Sequence, residues 1–280
     1  MPAAALSPSA RLQGEPIRAA VIGRFRIALL PRASYEAAYT ADRAVIGFAF
    51  ESQSGTHAFA GDRRTAFRTR PNSLALVPAG CDVYSQSREG GEYLTVAVSP
   101  DGMAVAAPRE QRFNDVIDPA AIDAAQRLRS LLLGRSSPEP LALEHYILAL
   151  QECAARILGG SFAEPRAARW LTPQRLRRID ELIEAGLDGP LTVQHLAEAL
   201  HLSSGFFSRA FKSATGKPPH AYILDRRIAR ARGVLVSPAP TAPDLTAIAH
   251  ACGFSSHAHM TAAFRARLGV TPSDLRSASR

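Results

Sequence analysis

The chain is short of cysteine, of lysine and of long apolar runs, and each shortage excludes something. Its 280 residues hold three cysteines, Cys81, Cys153 and Cys252, odd in number and far apart. They make neither a CxxC metal pattern nor a disulfide framework, which predicts three small core fillers in a reducing cytoplasm. No apolar stretch approaches the roughly 20 residues that a membrane-spanning helix needs, so no membrane partner is expected. Residues 1–15 are rich in Ala, Ser and Pro but have no continuous apolar core; they read as a flexible tail rather than a signal peptide. No nucleophile elbow, Walker loop or dinucleotide fingerprint occurs, so no enzyme activity and no cofactor are expected. Lys212 and Lys217 are the only lysines; every other cationic side chain is Arg. That reads as compositional bias as much as design.

What is present is an ordinary globular composition, 46% apolar and 21% charged, over a length that suggests two domains. The net charge of +8 is unevenly spread. Residues 170–280 carry 14 basic and 8 acidic side chains and six of the eight histidines; residues 1–169 carry 19 and 17. A basic C-terminal part beside a near-neutral first part points to a polyanion as its partner.

The first part reads as β. Short apolar stretches at Phe25–Leu30, Val45–Phe50, Thr56–Ala60, Ser73–Val77 and Leu94–Val98 are separated by turn signals, as in an antiparallel sandwich or barrel. Pro100-Asp101-Gly102 closes the run. From Asp118 the period becomes helical, first with Ile122, Ala125, Leu128 and Leu132. After a break at 134–140 it resumes with Leu141, Tyr146, Leu150, Cys153 and Ile157, and Gly159-Gly160 stops it.

From Thr172 onward nearly everything reads helical. Thr172 caps a helix ending before Gly186, and Thr192 opens a short one over Val193–Leu200. His201-Leu202 turn the chain into a helix capped by Ser203 and ended by Gly216. Pro218-Pro219 start a long helix through Arg232, and Ser237–Pro243 is a loop. Asp244 caps Leu245–Ala251, Gly253-Phe254 turn, and Ser255 or Ser256 caps a last helix ending at Gly269.

Two short helices joined by a tight turn form a helix-turn-helix, and here the pattern occurs twice. Leu196-Ala197 matches Ile248-Ala249, Leu202-Ser203-Ser204 matches Phe254-Ser255-Ser256, and Ala210-Phe211-Lys212 matches Ala263-Phe264-Arg265. The offset is 52 residues before the turn and 53 after it, so the second copy carries one extra residue. An internal repeat is stronger evidence than a single copy. Spacing predicts a buried stripe of Phe207, Phe211 and Ala214, repeated as Met260, Phe264 and Leu268. The opposite faces expose Gly205, Phe206, Ser208, Arg209 and Lys212, then His257, Ala258, Thr261 and Arg265. Phe206 either meets thymine methyls or covers a neighbouring helix. His259 reads as packing near the turn.

Leu191–Arg276 resembles the AraC/XylS-type DNA-binding domain. The resemblance rests on Phe207-Ser208-Arg209-Ala210-Phe211-Lys212, Gly216-Lys217-Pro218-Pro219, Tyr222-Ile223, Ile248-Ala249, Gly253-Phe254-Ser255, Phe264-Arg265 and Gly269-Val270-Thr271-Pro272. It implies two helix-turn-helix units on one linking helix, roughly Pro219–Leu235, that read successive major grooves of promoter DNA. By resemblance the DNA-binding residues are Ser203, Ser204, Gly205, Phe206, Ser208, Arg209 and Lys212. In the second unit they are Ser256, His257, Ala258, Thr261, Ala262 and Arg265. Arg209 is the choice for a bidentate guanine contact, with Lys212 and Arg265 on phosphates. Ala262 stands where the family usually has Arg and Ala258 where a polar residue is common, so the second unit reads methyl groups and shape more than hydrogen-bond patterns. His201 stands where the first turn often has Gly; a positive φ there is a strained but tolerable substitution.

Arg70–Gly80 resembles the strand–turn–strand run of cupin-like effector domains. His57 is the only histidine in residues 16–112, without an HxH pair and following Glu, so no metal is expected. The expected fold class is α+β. An N-terminal cupin-like antiparallel β-barrel over 16–112 senses or dimerises, a helical spacer covers 113–169, and an all-α double helix-turn-helix domain covers 170–280. Alternating strands nominate Phe48, Phe50, Tyr84 and Tyr93 for an effector pocket. The implied function is a cytoplasmic transcription regulator, an activator or a repressor according to where its site lies relative to the promoter, associated with the nucleoid when bound to DNA. RNA polymerase, a small-molecule effector and a homodimer through helices 118–158 are further candidate partners. A non-specific architectural binder and a cupin-type enzyme with a DNA-binding appendage are the alternatives.

Overall fold

The computed structural model describes residues 10–12, 16–98, 111–134, 138–161, 166–236 and 244–278. The chain divides into two compact units, residues 1–132 with 136–163 and residues 133–135 with 164–280.

The first unit is antiparallel β with helices. In chain order its strands are β1 (Ala10–Leu12), β2 (Arg18–Ile22), β3 (Phe25–Leu30), β4 (Tyr35–Thr40), β5 (Ala44–Ala49), β6 (Gln53–Phe59), β7 (Thr65–Thr69), β8 (Ser73–Val77), β9 (Asp82–Ser87), β10 (Tyr93–Val98) and β11 (Phe113–Val116). They make two open sheets, ordered β1-β4-β9-β6-β7 and β11-β8-β5-β10-β3-β2. Helices α1 (Pro119–Leu133) and α2 (Pro140–Leu158) follow.

Strand alternation places the core. Leu94, Val96 and Val98 of β10 are buried, and Phe48 and Ile46 of β5 stand opposite Leu94 and Val96 in register. Leu74 and Leu76 of β8 continue that apolar face, and α2 packs on β2, β5 and β8. Asp118 starts α1 by accepting from the amides of Ala120 (2.9 Å) and Ala121 (3.0 Å), and it holds Arg156 of α2 at 2.5 Å. One carboxylate thus caps one helix and ties down the other.

Two expectations are corrected here. Residues 10–12 are not tail: they pair with Tyr35–Ala37 as an edge strand, which satisfies backbone groups of β4 that would otherwise lack partners. The sheet also continues past residue 112, because β11 pairs with β8. Pro100-Asp101-Gly102 and the loop Ser237–Pro243 lie outside the described residues.

The second unit is helical. A 3₁₀ helix (Arg166–Trp170) precedes α3 (Pro173–Ala185), α4 (Val193–Glu198), α5 (Ser204–Thr215), α6 (Pro219–Val236), α7 (Leu245–Ala251), α8 (His257–Leu268) and α9 (Pro272–Ala278). The caps fall where the sequence places them: the side chains of Thr172, Thr192, Ser203 and Asp244 accept from the amides of Arg175, His195, Phe206 and Thr246. Helix α9 is not among the expected elements, although its signal is present. Thr271 and Asp274 exchange side-chain hydrogen bonds with each other's amides at 3.1 and 3.0 Å, a capping box.

The core of this unit joins Leu171, Ile179 and Ile183 to Leu196, Phe207, Phe211 and Tyr222. Phe211 meets Phe207 at 5.4 Å and Tyr222 edge-on at 5.1 Å between ring centroids. Helix α6 packs against α5, α7, α8 and α9, the place expected of a linking helix. The three cysteines are buried and free.

Candidate nucleic-acid interface

The repeat seen in the sequence is a repeat of hydrogen bonds. In the first turn the amide of Leu202 donates to the carbonyl of Ala197 (3.0 Å) and that of His201 to Glu198 (2.9 Å). In the second, Phe254 donates to Ala249 (2.9 Å) and Gly253 to His250 (3.0 Å). Both turns pivot on a left-handed residue, His201 at φ 56° and Gly253 at φ 79°. The second pivot must be glycine, since a Cβ there would collide with the carbonyl of Leu187. The first has no such wall, so a side chain is tolerated at the ordinary left-handed cost. His201→Gly is therefore expected to raise the stability of this unit by about 1 kcal/mol. The measurement is a urea midpoint followed by Trp170, the only tryptophan of the chain and a member of the same unit.

The offset of one residue also resolves. Ser203 caps α5 through the amide of Phe206 (3.3 Å), and Ser256, not Ser255, caps α8 through the amide of His259 (3.1 Å). Ser255 is the extra residue; its Oγ lies 3.0 Å from Nδ1 of His259, whose ring stands edge-on to Phe254. His259 thus packs near the turn, as its position suggested. Both helices end at a left-handed glycine, Gly216 and Gly269, whose amides donate to Lys212 and Arg265.

The two recognition helices differ on their outer faces. Phe207, Phe211 and Ala214, like Met260, Phe264 and Leu268, are fully buried as predicted. On α5, Ser204, Gly205, Arg209 and Lys212 are exposed, while Ser208 is only half-exposed. Phe206 is also half-buried: it packs against the unit's core and meets the ring of Trp170 edge-on at 5.4 Å. That contact favours the reading in which it covers a neighbour. On α8, Ala258, Ala262 and Arg265 are exposed. Nε2 of His257 and Oγ1 of Thr261 are closed off from solvent without a hydrogen-bond partner. Both residues are half-exposed, so these two polar atoms face inward, without a partner among the described residues, while part of each side chain reaches solvent.

Residues 196–278 match a helix-turn-helix domain family. Over 99 residues the chain is 35% identical to the HTH-type transcriptional regulator ArgR of Pseudomonas aeruginosa, covering 35% of this chain and 29% of that protein. It is 34% identical to the probable transcriptional regulator LumQ of Photobacterium leiognathi, over 34% of this chain and 37% of that one. A solved transcriptional regulator from Chromobacterium violaceum, described as an AraC-type DNA-binding domain-containing protein, is 31% identical; the match covers 38% of this chain and 92% of that one, with a TM-score of 0.35. Residues 196–278 thus form a helix-turn-helix domain of the matched family. The chain spans about a third of the length of the curated relatives it matches. The helix-turn-helix match begins within α4, at residue 196, so the 3₁₀ helix and α3, which share its core, lie outside it.

The β-rich unit rearranges the expected effector pocket. Phe48 and Phe50 are buried in the core, and the guanidinium of Arg129 in α1 lies over the Phe50 ring at 4.8 Å. Tyr84 stands among exposed polar neighbours, its hydroxyl donating to Glu36 and Gln86 at 3.2 Å with Arg64 over its ring. Only Tyr93 sits near a cluster of the anticipated kind. It alternates with Leu94 and so leaves the apolar face, and burial pushes its hydroxyl up in the company of Tyr35 and Tyr39. Tyr35 and Ser85 share a hydrogen bond of 3.1 Å. In the same sheet His57 stacks on Phe67 at 4.9 Å, and burial with Arg112 nearby holds its imidazole below the ordinary value. The four nominated residues therefore stand in different surroundings: Phe48 and Phe50 in the core, Tyr84 among exposed polar groups and Tyr93 beside Tyr35 and Tyr39.

Proposed function

We propose that the chain is a sequence-specific transcription regulator of the AraC/XylS type. The observation that carries this reading is the doubled turn, with the same hydrogen bonds at both pivots and a serine-capped helix after each. A helix entering the major groove by its N-terminal end presents free amides to phosphate and a few side chains to base edges. Arg209 is exposed on α5 and supplies the fork that matches guanine; Lys212 and Arg265, also exposed, hold phosphates. The exposed alanines Ala258 and Ala262 favour a second unit that anchors and senses methyl groups and shape.

Arg209→Ala is expected to cost about 1–3 kcal/mol at one base position and to relax the preference there. Selection of bound sites from a random DNA library, run on both proteins, reads this directly. An unchanged preference at every position would remove Arg209 from the reading set. Control lies in the β-rich unit, through a small-molecule effector near Tyr35, Tyr39 and Tyr93 and through a homodimer on α2, where Leu141 and Leu148 are exposed. Such a regulator works in the cytoplasm, on the nucleoid when bound, and as an activator it contacts RNA polymerase.

A further inference from the structure

We propose that α3 carries a third DNA contact, a phosphate-backbone site in the cleft between α3 and the first helix-turn-helix turn. The proposal rests on the DNA-reading function above and adds to it a contact from outside the two helix-turn-helix units.

The cleft, about 730 Å³, is lined by Arg175, Arg177 and Arg178 of α3 and closed by His201 of the turn, with Glu181 as its carboxylate. Helix α3 sorts its charges between two sides. Asp180 accepts from the hydroxyl of Tyr222 at 2.7 Å and Glu184 from Nε of Arg226 at 2.6 Å, so both carboxylates are engaged by α6. Arg177 and Arg178 are exposed and form no ion pair with a described residue. A concave surface with cations in excess and their counter-charges held elsewhere concentrates anions.

The second observation places that anion. Nη1 of Arg175 donates to the backbone carbonyl of Trp170 at 3.1 Å. The Trp170 ring, with 55% of its residue surface exposed, stands edge-on to Phe206 in the first turn of α5. His201 precedes the Ser203 cap of α5 by two residues. The cleft thus opens beside the end of the recognition helix that enters the groove, where the duplex offers a row of phosphates flanking the bases read. Arg175 is spent on fixing Trp170; Arg177 and Arg178 are the pair that reaches the backbone.

The test uses the full-length protein and its selected DNA site, comparing the parent with an Arg177→Gln/Arg178→Gln variant. Binding is measured between about 0.05 and 0.2 M salt, with a hydroxyl-radical footprint and the emission of Trp170. The slope of log affinity against log salt is expected to be shallower by about 1.8, some 0.9 for each phosphate that an arginine no longer neutralises. Affinity should fall roughly tenfold at physiological salt, by the same factor on selected and random DNA. The variant footprint loses protection on the flank of the first half-element, and DNA binding quenches Trp170 in both proteins. An unchanged slope and footprint, with the selected site still read, overturns the α3 contact and leaves the regulator reading intact. Unchanged DNA binding in a variant that no longer supports transcription also overturns it, and assigns the cleft to an acidic protein segment. A parent protein that shows no salt-sensitive DNA binding overturns both.

Discussion

Truncating Phe211 to alanine is expected to cost the C-terminal unit about 3–5 kcal/mol and with it DNA binding. The ring is wholly buried between Phe207 and Tyr222, and it joins the recognition helix α5 to the linking helix α6. Removing it opens a cavity whose lining is deprived of dispersion attraction on every side. A domain has only about 5–15 kcal/mol in total, so the loss is a large share. Denaturation followed by Trp170 emission isolates this unit, since the β-rich unit contains no tryptophan. A shift below about 1 kcal/mol would mean that the surrounding side chains collapse into the space, and that the aromatic stack is not what holds α5 on α6.

Replacing Arg129 with methionine is expected to destabilise the β-rich unit by a similar amount, about 3–5 kcal/mol. Glu92 is completely buried, and its carboxylate receives Nε and Nη2 of Arg129 at 2.5 and 2.7 Å. The amide of Glu92 donates to Oε2 of Glu51 at 3.1 Å, so a second buried carboxylate lies close by. Without the guanidinium, Glu92 is left as an uncompensated charge in a low-dielectric site. The partner change Glu92→Gln in the Arg129→Met background is expected to recover much of the loss, because it removes the buried charge. Thermal or urea midpoints of the two variants and the double variant close the cycle. If the double variant is as unstable as the sum of the singles, the pair is not coupled and the packing of α1 carries the effect.

The helical unit was largely legible because its signals are local. Caps such as Thr172, Thr192, Ser203 and Asp244 and stops such as Gly216 and Gly269 act within a turn of chain, and the buried stripes repeat with the helix. The β-rich unit was legible only in part. Five strands with strong apolar content were found, whereas the more polar β4, β7 and β9 gave no comparable pattern. Their pairing partners lie far along the chain, as where Tyr35–Thr40 meets Asp82–Ser87, and nothing local announces such a contact.

The division between sequence and structure follows the range of the forces. Periodicity, capping chemistry and an internal repeat determined two helix-turn-helix units, their buried aromatics and the basic charge of the region around them. Tertiary structure decided what lies against each surface. It assigned the cap of α8 to Ser256, drew Phe206 onto Trp170, and closed off Nε2 of His257 and Oγ1 of Thr261. It gave Phe48 and Phe50 to the core rather than to a pocket. A residue's face on its own helix or strand is fixed by backbone geometry, which sequence spacing records. What covers that face is fixed by a segment tens of residues away, and only the folded chain brings the two together.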